Sequence, residues 1–161
     1  MRILGIDPGT GILGFGVIDA DAKGKVLLVD AGVIRTPVGQ PDSDRLVTIF
    51  DELTEIIREL KPHVMAVEKL FFAQNVTTAM SVSQARGVVL LCGKQKNLEL
   101  HEYTPLQIKQ ALTGYGRADK KQMQEMVRVI LSLKEVPKPD DCADALATAI
   151  CHTMHNKMKQ L

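Results

Sequence analysis

The sequence predicts an α/β domain built on a five-stranded mixed sheet flanked by helices. Three observations predict it. Strand-like segments crowd the first 34 residues with only short links between them, which implies an antiparallel meander. Further on, the apolar run Val64-Met-Ala-Val67 and the segment 98–103 each follow a helix-length segment, which implies parallel strands joined by crossovers. The chain has 161 residues, enough for one real core and too few for two comfortable ones. Residues 1–161 therefore read as a single domain, with 1–156 as its core and 157–161 as a short tail.

The first strand is carried by Ile3, Leu4 and Ile6, apolar on both faces and hence central and buried. It ends on a carboxylate, Asp7. Pro8-Gly9 turns the chain, and a second strand over 13–18 alternates Leu13, Phe15 and Val17 with Gly14 and Gly16. An acid at a strand tip, facing a stretch nearly free of side chains, suits a site where something bulky and charged must approach the backbone. A plain Asp-Pro-Gly turn is the alternative. The polar turn Asp21-Ala-Lys-Gly24 leads to a third strand over 25–34, and Thr36 to Ser43 form a loop.

A helical pattern over 44–61 places Leu46, Ile49, Phe50, Leu53, Ile56, Ile57 and Leu60 at spacings of three and four, and Pro62 ends it. Val64-Met-Ala-Val67 is a fourth, buried strand, and it too ends on an acid, Glu68. After a connector at 71–76, residues 77–96 form a long helix in which Ala79, Ser81, Ser83, Ala85 and Gly87 are small. The fifth strand covers 98–103. Thr104-Pro105 starts a helix with a hydroxyl cap and a first-turn proline, reaching Leu112. Asp119 opens another helix after the Gly114–Ala118 loop, and Pro137 and Pro139 precede a final one over 140–156. The two acid-tipped strands, first and fourth, should lie side by side at the sheet centre. In open α/β sheets ligands sit there, outside the carboxyl ends of the strands.

An apolar fraction of 45% and a charged fraction of 24% are those of an ordinary globular protein. No stretch approaches a membrane span, and the first residues start a strand rather than a signal peptide. Cys92, Cys142 and Cys151 are odd in number and lack metal-type spacing, which points to reduced thiols in a cytoplasm. The four histidines complete no zinc pattern with them. Net charge is only +1, but it is unevenly spread: −4 over residues 1–68, +6 over 69–134 and −1 over 135–161. A basic middle between acidic flanks fits a phosphate-gripping surface beside a carboxylate cluster. Lysines and arginines that only solvate helix faces would look the same in composition.

Asp141 and Asp144 stand three apart in the last helix and share a face, where like charges destabilise a bare helix. Asp140 reads as an N-cap, and acids in a first turn favour the helix dipole. Asp144 lies a turn further in, at the edge of an alanine-rich face, and is the better candidate for function. Together, Asp7, Glu68, Asp141 and Asp144 would repel one another severely unless cations neutralise them. An all-oxygen set selects a hard ion, Mg²⁺ or Mn²⁺. Two such ions about 4 Å apart would activate a water and stabilise the leaving oxygen of a phosphodiester.

Ile3-Leu-Gly-Ile-Asp-Pro-Gly-Thr10, Glu68-Lys-Leu-Phe71, Gln84-Ala-Arg-Gly-Val88 and Asp141-Cys-Ala-Asp-Ala-Leu-Ala147 resemble motifs of the RuvC family of Holliday junction resolvases. The resemblance extends through Tyr103-Thr-Pro, Ile108-Lys109 and Gly114-Tyr-Gly-Arg-Ala-Asp-Lys120, so it covers essentially the whole domain in order. It implies a ribonuclease H-like fold, a homodimer and Mg²⁺-dependent paired nicking of four-way DNA junctions in recombination and repair, leaving 5′-phosphate and 3′-hydroxyl ends. It also implies two ions per site, with Mn²⁺ as a substitute. Asp7 would bridge both, with Glu68, Asp141 and Asp144 completing their shells. Branch-migration proteins would be partners, and action on the bacterial nucleoid would follow. Residues 157–161 after the last helix read as too short for the basic tail of some members, so no tail contribution to DNA affinity is expected.

By the same resemblance Phe71 stacks on an unpaired base at the junction centre, and Lys109 and Lys120 contact phosphates. Arg86 and Arg117 are further candidates for DNA binding, with Lys69 and Lys121 behind them. Competing functions fit less well. Ile6–Thr10 also matches the first phosphate loop of the actin, chaperone and sugar-kinase superfamily, but that fold needs two domains and a second loop. A non-catalytic DNA-structure binder would gain from losing four acids. A ribonuclease H-fold nuclease acting on RNA is the nearest enzymatic rival. Symmetric cuts need two sites, hence a twofold dimer. Ala79, Ser83, Ala85 and Gly87 make the helix over 77–96 its expected interface.

Overall fold

The computed structural model of the chain describes residues 1–69 and 76–158. Its elements are β1 (Arg2–Asp7), β2 (Ile12–Ala20), β3 (Val26–Arg35), α1 (Asp42–Leu60), β4 (Val64–Glu68), α2 (Val76–Gln95), β5 (Glu99–Tyr103), α3 (Pro105–Thr113), α4 (Lys120–Ile130) and α5 (Asp140–Met158). The sheet order is β3-β2-β1-β4-β5, with β1–β2 and β2–β3 antiparallel and β1–β4 and β4–β5 parallel. The meander and the crossovers thus lie where the sequence puts them, with β1 and β4 adjacent at the centre.

Local chemistry explains the element ends. Helix α1 begins directly after Pro41, two residues before the expected start at Asp44, and closes on Lys61 in the left-handed region (φ 49°) ahead of Pro62. Helices α3 and α4 both open with reciprocal capping boxes, Thr104 with Gln107 and Asp119 with Gln122. Asp140 is the first residue of α5 rather than its cap.

Period-two alternation splits the sheet between two cores. Leu4, Ile6, Leu13, Val17, Met65 and Val67 pack under α1 and α2 together with Ile49, Leu53, Ala85 and Val89. Ile3, Ile18, Val64, Ala66 and Tyr103 pack under α3, α4 and α5 together with Ile108, Val127, Leu146 and Ile150. All three cysteines are free and buried. Among the described residues no helix is long and apolar enough to cross a membrane.

Candidate active site

Asp7 lies on the same side of β1 as Ile3 and Gly5, and Glu68 on the same side of β4 as Val64 and Ala66. Because β1 and β4 are parallel neighbours with Ile6 opposite Val67, the two acids emerge together at the carboxyl ends, on the α5 side of the sheet. Burial of the strands beneath them holds these two backbone positions fixed.

Asp141 and Asp144 arrive from above, and glycine decides how closely. The side-chain-free stretch of β1 and β2 does admit something bulky and charged, but the visitor is helix α5 itself. A Cβ on Gly5 would stand 2.0 Å from the Ala145 carbonyl oxygen, and one on Gly14 would stand 2.1 Å from the Asp141 carbonyl oxygen. At Gly16 it would meet the Leu146 side chain at 2.6 Å. Gly14 is the register partner of Asp7, and Gly16 that of Gly5. The first turns of α5 therefore lie on backbone beside the β1 tip, and Asp141 and Asp144 come down next to Asp7.

The electrostatics record the convergence. Burial raises the Asp7 carboxyl to about 8, aided by the charges of Glu68, Asp144 and Asp141. Glu68 is also raised, first by burial and then by Asp144, while the Lys109 ammonium opposes the shift. Burial raises Asp144 too, against the pull of Lys120. Three raised carboxyls beside the charge of Asp141 make a crowded acidic cluster that Lys109 and Lys120 only partly offset.

A cleft of about 360 Å³ opens at this cluster. Asp7, Glu68 and Asp144 line it with Lys109 and Lys120, and Pro105, Ile108, Met123 and Ala147 form an apolar wall. Asp141 stands behind this lining, against β2, and is felt at Asp7 through its charge. Among the described residues no three His, Cys, Asp or Glu side chains stand as a finished ligand set. The fit to a hard dication is one of chemistry: the acids offer carboxylate oxygens only, and the charges of Glu68, Asp144 and Asp141 all raise the proton affinity of Asp7.

The other predicted residues divide. Lys109 and Lys120 reach the cleft. Arg117, Lys69 and Lys121 are exposed and do not line it. Arg86 is held elsewhere, its guanidinium paired with Glu102 of β5. Glu102 alternates with Tyr103, so this pair belongs to the α2 side of the sheet and not to the acids. Phe71 lies outside the described residues. Sequence reasoning missed the ion pair of Asp140 with Lys120, 3.1 Å long, because the partners are twenty residues apart. It also missed a tie between the β1–β2 turn and its surroundings: the Thr10 and Ser81 hydroxyls hydrogen-bond, and Thr36 Oγ1 donates to the Thr10 carbonyl at 2.7 Å.

The family described as crossover junction endodeoxyribonuclease RuvC matches residues 3–152. The chain belongs to the RuvC family. It is 58% identical to the RuvC of Desulfitobacterium hafniense over 152 residues, covering 94% of this chain and 92% of that one. With the RuvC of Thermomicrobium roseum it shares 50% over 161 residues, covering 100% and 98%. The structure of Thermus thermophilus RuvC superposes with a TM-score of 0.92 at 38% identity, covering 99% of this chain and 97% of that one. The same protein in complex with a Holliday junction substrate gives 0.89 at 35%, covering 98% and 96%. The sheet order and flanking helices are those of the ribonuclease H-like fold, as expected for a RuvC protein.

Proposed function

We propose that this RuvC-family chain resolves four-way DNA junctions as a Mg²⁺-dependent endonuclease, nicking two strands symmetrically to leave 5′-phosphate and 3′-hydroxyl ends. The observation that carries the reading is the seating of α5 on Gly5 and Gly14, which brings Asp141 and Asp144 to Asp7 and Glu68 beside two lysines. The carboxylates of Asp7, Glu68, Asp141 and Asp144 would hold two divalent ions. When bound, such ions supply an activated water and stabilise the leaving oxygen. The chain's own residues do the rest. Lys109 and Lys120 receive phosphate oxygens at the mouth of the cleft. The wall of Pro105, Ile108 and Met123 keeps solvent from the acids and so strengthens every charge interaction there. Phe71 would stack on an unpaired base.

A homodimer completes this reading, because one chain supplies one cleft. Within α2 the small residues do not form one face: Ala85 is buried in the core, whereas Ser83 and Gly87 are exposed. The exposed side carries Met80 (66% exposed), Gln84, Gly87 and Leu91 (54%) at helical spacing. This is the face we assign to the partner copy. Action in the bacterial cytoplasm with branch-migration proteins follows from the same family reading.

The test offers a four-way DNA junction, a linear duplex and an RNA–DNA hybrid to the protein with and without Mg²⁺. Paired nicks in the junction alone, dependent on the ion, are expected. Cleavage of the hybrid with the junction left intact would overturn the proposal in favour of a ribonuclease.

A further inference from the structure

Asp140 stands next to Asp141 in the chain and is not one of the four acids. Its Oδ2 lies 3.1 Å from Lys120 Nζ, and the same ammonium lies 3.6 Å from Asp144 Oδ2. One cation is thus shared by an acid that lines the cleft and an acid that does not. Both backbones are anchored at this point. Lys120 is the first residue of α4, fixed by the reciprocal bonds of Asp119 and Gln122. Asp140 is the first residue of α5, whose next turn is pinned on Gly14 and by the Cys142 amide donating to the Pro139 carbonyl at 3.0 Å.

This geometry bears on how the cleft takes up a dication. An ammonium resting on Asp144 alone would compete for the oxygen that the incoming ion needs, and once displaced this half-exposed side chain would be left to swing into solvent. A second carboxylate within 3.1 Å of the same ammonium removes that conflict. We infer that Asp140 is a positioning residue for Lys120, retaining its ammonium at the cleft mouth while Asp144 exchanges that ammonium for a divalent ion. Lys120 then stays where a phosphate arrives instead of leaving with each metal-loading event.

The inference rests on the metal reading proposed above, and the test separates the two. Mn²⁺ is titrated into the DNA-free protein and free Mn²⁺ is followed by electron paramagnetic resonance. Asp140→Asn should weaken Mn²⁺ binding about two- to fivefold, the span of an exposed ion pair, and Asp140→Glu should restore it. In a Lys120→Ala background, Asp140→Asn should change nothing, since no ammonium remains to be drawn off Asp144. An unchanged affinity in the single Asp140→Asn variant overturns the inference. A loss that persists undiminished beside Lys120→Ala does so too, because it shows a direct charge effect of Asp140 on the ion. Absence of Mn²⁺ binding by the unmodified protein overturns the metal reading, and this inference with it.

Discussion

Helices α5 and α2 are both rich in small residues, and they use them oppositely. In α5, Ala143, Ala145, Ala147 and Ala149 are all buried, and Ala145 and Ala149 meet β1 at Gly5 with no room for a methyl group. In α2, Ala85 is fully buried, but Ser83 and Gly87 are exposed, and a Cβ on Gly87 would meet no atom within 4 Å. Small side chains in the first helix bring charge to a fixed place. In the second they leave a surface open. The same composition therefore signals close approach only where the facing element is equally bare.

The largest effects should come from filling the α5 seat. Gly5→Ala or Gly14→Ala forces a Cβ against the α5 backbone and should cost about 1–3 kcal/mol or more of unfolding free energy. Urea unfolding reads the stability, and a nicking assay should show activity falling with it as Asp141 and Asp144 lift off Asp7. Equal stability and activity in the Gly14→Ala variant would break the contrast between the helices.

Removing one charge under that seat is the next test. Asp7→Asn should abolish nicking while leaving junction binding near or above the original level, since repulsion towards phosphate falls as cation affinity is lost. The pH dependence sharpens it. The Asp7 carboxyl titrates near 8 in the fold against an ordinary value of 3.8. Below the ordinary value both states hold the proton, and its stabilising contribution is complete. As pH rises towards 8 only the folded state retains the proton, so that contribution is lost through this window. In metal-free buffer Asp7→Asn should therefore be more stable than the parent at pH 8, with the gap closing near pH 4. A gap that widens towards acid would contradict the buried-cluster assignment.

On α2 the expected effects are smaller in folding and larger in assembly. Gly87→Ala has room and should stabilise the helix by up to about 1 kcal/mol, whereas Gly87→Leu should raise the dimer dissociation constant measured by sedimentation. A Gly87→Leu variant that stays fully dimeric removes this face from the interface. Smallest of all, Lys109→Ala and Lys120→Ala should each flatten the log–log salt dependence of junction binding by about one. Arg86→Ala should leave that slope unchanged, because its guanidinium already serves Glu102.

What the sequence by itself determined is what local chemistry and periodicity encode. Apolar runs placed β1 and β4, alternation with glycine placed β2, Thr104 and Asp119 marked helix starts, and acids at two strand tips and at i, i+3 in a helix marked the candidate site. Only the tertiary structure decided what depends on partners distant in the chain. A glycine in a strand looks the same whether ligand, solvent or helix lies above it. The packing of α5 showed that β1 and β2 are bare for the sake of Asp141 and Asp144. Arg86 carries no sequence mark of Glu102, sixteen residues on, nor Asp140 of Lys120. Charge pairs of that kind form wherever the fold happens to bring two long side chains together. Periodicity fixes the face of an element on which a residue stands, and long-range packing alone settles what stands opposite it.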